Sequence, residues 1–120
     1  MSNNFGKKNK GKIILKNRIT EIKRILDDKK AENIEIIELK GQDYIVDTVV
    51  IATTLNSKHG ISLLNYLKEG LKPLGEEFVR VEENEDWTIV DLGDTLIHLM
   101  TESHRKKYNI EEFLGELGKK

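Results

Sequence analysis

The sequence predicts a single-domain α/β (α+β) fold in which a mixed β-sheet is flanked by helices, mostly on one face. Three observations predict it. Apolar residues recur with a helical period after Ile13, Thr48 to Thr53 is almost without polar side chains, and Trp87 to Met100 alternates around a turn that contains glycine. Taken along the whole chain, the patterns predict the order α-β-β-α-β-β-β-α, in which the helices cover one sheet.

Length and composition favour one soluble globular domain. The chain has 120 residues, of which 38% are hydrophobic and 34% charged. Its formal net charge of -1 does not indicate any particular class of binding partner. There is no cysteine, which excludes a disulfide framework and a thiolate metal site. No apolar run approaches the ~20 residues that cross a bilayer, and the N-terminus lacks the apolar segment of a signal peptide. We therefore expect a cytoplasmic protein with no membrane partner.

The first elements are predicted as follows. Met1 to Lys12 is lysine-rich and free of acids, which is typical of a flexible basic tail without a specific role, although such a tail could also touch RNA phosphate. A helix then begins at Ile13 and ends near Asp27 to Lys30, and Ile34 to Leu39 forms a half-buried strand that is followed by a turn at Gly41 to Asp43. The inner face of the helix carries Leu15, Ile19, Ile22 and Leu26.

Thr48 to Thr53 is predicted to be a strand in the middle of the sheet. Ser57 caps the next helix, which Pro73 and Gly75 end. A strand around Phe78 to Val81 completes a β-α-β crossover, and an acidic loop of residues 82–86 follows. The inner stripe of this helix carries Leu63, Leu64, Leu67 and Leu71.

Trp87 to Met100 is predicted to be a β-hairpin whose two-residue turn, Gly93-Asp94, suits type II′. If Leu92 pairs with Thr95, one face is ordinary core, and the other mixes large apolar side chains with one aspartate and one histidine. A one-residue slip would bury Trp87 and expose Val90. The predicted core face carries Thr88, Val90, Leu92, Thr95, Ile97 and Leu99, and the mixed face carries Trp87, Ile89, Asp91, Leu96, His98 and Met100.

A short last helix is predicted to begin after Tyr108. Asn109 would be its N-cap and Glu112 its third residue, and Tyr108 would pack on Phe113 as a hydrophobic staple.

A search for catalytic machinery finds no strong motif. The sequence contains no glycine-rich phosphate loop, no His pair at i and i+4 and no nucleophile elbow. His59, His98 and His104 are scattered without metal-ligand spacing, which favours surface or structural roles. Asp47 and Asp91 could hold a divalent cation, but bonds to backbone amides or a neighbouring base are the favoured interpretation. Asp91 and His98 are diagonal neighbours on one face of the hairpin, where a hydrogen bond would order that face.

Trp87, the only tryptophan, fits either core packing or an interface anchor. Arg105 and Tyr108 lie where they could rim the same patch, although Arg105 could instead pair with Glu102, and Tyr108 has its competing role as a staple. The hairpin face is therefore interpreted as a surface reserved for a partner or a substrate.

Several segments, taken together, resemble the ribosomal silencing factor family, also called Iojap-like or RsfS. The resemblance covers about Ile13 to Leu117 and leaves 118–120 as a short C-terminal tail. The resemblance rests on the order and spacing of these segments: Leu26 to Ile34; Asp47 to Thr53; Ser57-Lys58-His59; Trp87 with Asp91 to Asp94 and His98; and Arg105 with Tyr108 and Glu111.

The resemblance implies a nucleotidyltransferase-like fold that lacks the catalytic motif, and a protein that is not an enzyme and needs no cofactor or metal. It implies binding to the large ribosomal subunit through ribosomal protein fourteen of that subunit. Steric blocking of small-subunit joining then represses translation when nutrients are scarce. The free protein is expected to form a homodimer. The matching positions carry over as partner-binding residues: Asp47, Trp87, Asp91, Gly93, His98, Arg105 and Tyr108.

The chain departs from the family pattern at a few positions. Thr48 replaces a common aromatic, Lys58 replaces a common arginine, Glu83 stands where a Glu-Gly pair is common, and the last helix lacks the tryptophan often found there. Two rival interpretations remain open. A metal-dependent nucleotidyltransferase-like enzyme that uses Asp47 and Asp91 would show heat of binding with ATP and magnesium. A direct RNA binder that uses the lysine tail would lose most of its affinity and salt dependence when Met1 to Lys12 is deleted.

Overall fold

A computed structural model describes residues 10–39 and 46–109 as a five-stranded sheet with three helices. The helices are α1 (Lys10–Asp28), α2 (Ser57–Leu71) and α3 (Glu102–Tyr108), and a 3-10 turn (Lys72–Leu74) follows α2. The strands are β1 (Glu32–Glu38), β2 (Thr48–Thr54), β3 (Arg80–Glu83), β4 (Trp87–Asp91) and β5 (Thr95–Thr101). The predicted α+β class is confirmed, as is the predicted order of elements from the first helix to the hairpin.

The sheet has the order β1-β2-β5-β4-β3 and is mixed, because β2 and β5 run parallel while the other neighbouring pairs are antiparallel. β2 is an interior strand as predicted, but β5 holds the middle position. β3 runs in the same direction as β2, so α2 does connect parallel strands. The two strands are not neighbours, since β5 and β4 lie between them.

The main core lies between the sheet and the pair α1 and α2. Ile22 and Leu26 of α1 are fully buried, Ile25 joins them, and the predicted inner stripe of α2 is buried throughout. These side chains meet Val50, Ala52 and the inward face of the hairpin. The leucine spacing therefore predicted the packed face of α2, whereas on α1 the prediction is confirmed at Ile22 and Leu26, Ile19 is only half-buried, and the buried Ile25 was not predicted.

Several predicted boundaries are wrong at the ends of elements. α1 begins at Lys10, so Lys10 to Lys12 belong to a helix and not to the predicted tail. Asn56, not Ser57, caps α2: its backbone is extended, and its side-chain Oδ1 accepts the His59 N–H at 2.9 Å. β3 takes up Glu82 and Glu83, which shortens the predicted acidic loop.

α3 was not predicted from the sequence, and the last helix that was predicted to follow Asn109 lies outside the described residues. α3 begins after Thr101, whose Oγ1 accepts the His104 N–H, and it ends at Asn109, which has the left-handed φ of 40°. Asn109 thus terminates a helix and is not the N-cap that was expected. Other predictions also fall outside the described residues: the staple partner Phe113, residues 1–9, the turn at Gly41 to Asp43, the side chain of Leu15 and the C-terminal tail.

The hairpin register agrees with the prediction. Trp87 pairs with Met100 and Asp91 with Leu96, and the Leu92 N–H donates to the Thr95 carbonyl at 2.9 Å. Gly93 has a φ of 101°, which its place at the first position of a type II′ turn requires. All six residues of the predicted core face are buried, including Val90 at 0% exposure, so the alternative register is excluded.

Candidate partner-binding face

The sheet face opposite α1 and α2 carries the mixed side of the hairpin, and we call it the second face. Its residues on β4 and β5 are Trp87, Ile89, Asp91, Leu96, His98 and Met100. A small second core lies on this side, where Met100 is buried with Leu39, Val46, Val49 and Ile51. Trp87 packs against that core while remaining half-buried. Trp87 therefore combines the two alternatives that the sequence left open, core packing and a surface position.

α3 turns one end of the second face into a cleft. Because Thr101 caps α3 directly after β5, the helix turns back over the sheet and places His104 between two other aromatic rings. The His104 ring centroid lies 5.9 Å from that of Trp87 and 4.5 Å from that of Tyr108. The apolar cleft has a volume of about 340 Å³ and is lined by Trp87, Ile89, His98, Met100, His104 and Tyr108.

The cleft is a suitable anchor site for an apolar side chain of a partner. Tyr108 is 59% exposed, so its ring offers free surface at the rim, and Lys107 Nζ lies 5.5 Å from the centroid of that ring. Large aromatic side chains at a half-buried surface are typical of residues that dominate binding energy. The pairing of Trp87 with His104 and Tyr108 was not predicted, because the position of α3 was missed.

His98 lies in the wall of the cleft and is 8% exposed. Burial lowers the pKa of its imidazole below the ordinary value of 6.5. A bond to the Asp91 carboxylate would raise this pKa, but the Asp91 Oδ1 accepts the Gly93 N–H at 2.8 Å instead. The expected Asp91–His98 pair is therefore not formed, and the favoured interpretation of Asp91, a bond to a backbone amide, is correct.

The other end of the second face is built around the hairpin turn. The Asp94 carbonyl accepts the N–H groups of Asp47 at 2.9 Å and Thr48 at 3.2 Å, which places Asp47 beside the turn. Asp47 is exposed, and Asp91 and Gly93 lie at the same end of the sheet. The seven candidate residues are thus not one cluster: Asp47, Asp91 and Gly93 are at the turn, and Trp87, His98 and Tyr108 are at the cleft.

Arg105 does not rim the cleft, contrary to expectation. It is 8% exposed, and its Nη1 donates to the Asn33 carbonyl at 2.6 Å and to Thr53 Oγ1 at 2.8 Å. These bonds tie α3 to the start of β1 and the end of β2. The carboxylate of Glu102, its suggested partner, lies 3.9 Å from the Lys106 ammonium.

His59 is a structural histidine, as the sequence favoured. Its Nδ1 accepts the Leu55 N–H at 3.0 Å, and its Nε2 lies 2.8 Å from the Lys29 carbonyl, to which it donates. It thereby joins the end of α1 to the start of α2.

Among the residues that the structure describes, no group of three or more His, Asp or Glu side chains is placed to hold a metal ion. Nor is any helix within residues 10–39 and 46–109 long and apolar enough to span a membrane.

Sequence reasoning missed three charged residues that support the turn end: Arg18, Glu76 and Asp94. Arg18 Nη2 lies 2.8 Å from Glu76 Oε1, and its Nη1 bonds the Asp94 carboxylate. No local pattern could reveal this contact, because Arg18 and Asp94 are 76 residues apart.

Comparison with known proteins agrees with this architecture. The family model described as "Ribosomal silencing factor during starvation" matches residues 14–119. Ribosomal silencing factor RsfS from Halalkalibacterium halodurans is 32% identical over 93 residues, which cover 76% of this chain and 80% of the relative. RsfS from Zymomonas mobilis is 33% identical over 92 residues, covering 75% of this chain and 69% of the relative.

Solved structures show the same fold. A Chromobacterium violaceum protein superimposes with a TM-score of 0.78 at 25% identity, covering 83% of this chain and 85% of that one. A Bacillus halodurans protein superimposes with a TM-score of 0.72 at 28% identity, covering 82% and 93%. Because the family match spans most of the chain and the fold agrees with these structures, the chain belongs to the ribosomal silencing factor family.

Proposed function

We propose that this protein binds the large ribosomal subunit through ribosomal protein fourteen and thereby prevents the small subunit from joining. Translation is repressed when nutrients are limiting, and the protein acts in the cytoplasm by binding alone, without catalysis, cofactor or metal. Membership of the family supports this function. The observation that carries it in this chain is the apolar cleft beside an exposed tyrosine on the second face.

In this proposal the two ends of the second face have different tasks. Trp87, His98 and Tyr108 form the apolar anchor, where excluding water from large rings stabilises the complex. Asp47, Asp91 and Gly93 form a polar edge that meets the partner at the hairpin turn. Arg105 contributes indirectly, since its bonds to Asn33 and Thr53 hold α3 in place.

Occlusion follows from size. A domain of 120 residues held on the subunit interface occupies space that the other subunit would need, so no chemical step is required. Two further contacts belong to the proposal as expectations: the same apolar face is covered by a homodimer when the protein is free, and the lysine-rich N-terminus touches ribosomal RNA.

Replacing the tryptophan tests the anchor. Trp87→Glu places a charge in an apolar contact, so we expect binding to purified large subunits to weaken by more than about 30-fold, the range of a strong hot spot. Cosedimentation through a sucrose cushion measures this, and circular dichroism checks that the variant is folded. Leu74→Glu is the matched control, because Leu74 is an exposed apolar residue (46%) in the turn after α2. Wild-type binding by folded Trp87→Glu would refute the anchor.

Subunit joining tests the mechanism. Wild-type protein added to purified subunits should lower the fraction that sediments as joined ribosomes, whereas Trp87→Glu should not. If the wild-type protein binds large subunits but leaves joining unchanged, occlusion is wrong even though binding is right.

A further inference from the structure

Arg18 connects three separate parts of the fold. It lies on α1, its Nη2 is 2.8 Å from Glu76 Oε1 just after the turn that ends α2, and its Nη1 bonds the carboxylate of Asp94 in the hairpin turn. The Thr95 hydroxyl lies 3.4 Å from the same Nη1. One guanidinium thus holds the hairpin turn against the helical layer.

The environment keeps this guanidinium charged. The side chains of Arg18 and Glu76 are only 12% and 4% exposed. Burial by itself lowers the pKa of Arg18, but the hydrogen bond to Glu76 and the charges of Asp94 and Glu76 outweigh it, so the pKa is raised. The Arg18 contact is therefore unlike the exposed Arg24–Glu21 pair on the same helix.

Asp94 connects Arg18 to the second face. Its side chain is held by Arg18, while its backbone carbonyl accepts the N–H groups of Asp47 and Thr48. The Asp47 carbonyl in turn accepts the Leu39 N–H at 2.6 Å. The position of Asp47 therefore depends on the position of the turn.

We propose that Arg18 is a positioning residue for the partner-binding face: it fixes Asp94 and through it the turn end formed by Asp47, Asp91 and Gly93. This rests on the proposed function, because it assumes that the turn end meets the partner. Arg18 itself lies on the helical side of the sheet and acts without touching the partner.

The experiment is a double-mutant cycle for affinity to purified large subunits. Arg18→Met and Asp94→Ala should each weaken binding by about tenfold, which corresponds to about 1.4 kcal/mol. The double variant should be no weaker than either single variant, because both substitutions break the same connection. Asp94→Ala leaves the buried Arg18–Glu76 pair intact, so it remains informative if Arg18→Met folds poorly.

Two controls separate positioning from general stability. Arg24→Met removes the exposed ion pair of the same helix and should leave affinity unchanged. Leu67→Ala destabilises the buried helical layer and should also leave the affinity of the folded protein unchanged. Amide hydrogen exchange gives a local readout: in Arg18→Met the amides of Asp47 and Thr48 should exchange faster relative to those of Val50 and Ile51.

The outcomes are distinguishable. Wild-type affinity in Arg18→Met and Asp94→Ala, together with lost binding in Trp87→Glu, would overturn the role of Arg18 and leave the proposed function standing. Additive losses would also overturn it, since Asp94 would then contact the partner independently of Arg18. If Trp87→Glu also binds normally, the proposed binding face itself is wrong.

Discussion

His98 shows how the fold sets the chemistry of a single residue. The sequence placed it on the mixed face of the hairpin, and alternation alone was sufficient for that. Its burial to 8% exposure depends on the packing around β5, which includes a helix that the sequence analysis did not locate. Burial disfavours the charged imidazole and so lowers the pKa of His98 below its ordinary value.

The lowered pKa of His98 predicts a pH dependence of stability. Between the folded-state pKa and about 6.5 the unfolded chain binds more protons than the folded one, so the free energy of unfolding should fall as the pH drops below about 6.5. Urea denaturation between about pH 7.5 and about pH 5 measures this pH dependence of the free energy of unfolding.

His98→Leu should lack this part of the pH dependence, whereas His59→Asn should retain it. An identical pH profile for wild type and His98→Leu would contradict the assignment.

At the scale of elements, the sequence predicted periodic segments well and helix ends poorly. The stripes of α1 and α2 and the two faces of the hairpin follow from apolar spacing. α3 has little apolar periodicity, so it was overlooked, although end signals were present: Thr101 as cap, Glu102 in the first turn, and the basic run Arg105 to Lys107 in the last.

The start of α2 allows a direct test of a capping assignment. Asn56→Ala should lower the free energy of unfolding by about 1 kcal/mol, because the His59 N–H loses its acceptor, and Asn56→Asp should retain most of the stability. Ser57→Ala is the matched control and should change stability by less than about 0.5 kcal/mol. Chemical denaturation distinguishes the two, and a larger loss in Ser57→Ala would restore the sequence-based assignment.

At the scale of the whole molecule, the sheet separates two layers with different tasks. α1 and α2 bury one face and supply most of the core, and the second face carries the smaller core and the cleft beside α3 that we propose as the partner site. Arg18 crosses from the helical layer to the hairpin turn, so it couples the stability of the core to the geometry of the second face.

The coupling predicts an asymmetric effect on stability. Arg18→Met leaves Glu76 buried without its cation and should cost about 3 kcal/mol. Adding Glu76→Met should recover at least half of that loss, because an apolar side chain tolerates the buried site. Thermal and urea denaturation of the single and double variants measure the difference. Equal or greater loss in the double variant would show that Glu76 is not stabilised mainly by Arg18.

From the sequence one could predict the order of elements from the first helix to the hairpin, the packed face of α2, the hairpin register and the resemblance to the ribosomal silencing factor family. Periodicity and turn chemistry are local properties, and each can be found within a few neighbouring residues. Three features became apparent only in the packed structure: Arg105 bonds Asn33 and Thr53 away from the cleft, the tilted His104 ring lies between those of Trp87 and Tyr108, and Arg18 holds Asp94. The contacts of Arg105, Trp87 and Arg18 join separate elements, so their geometry depends on how the layers pack, and the His104–Tyr108 contact depends on where α3 begins.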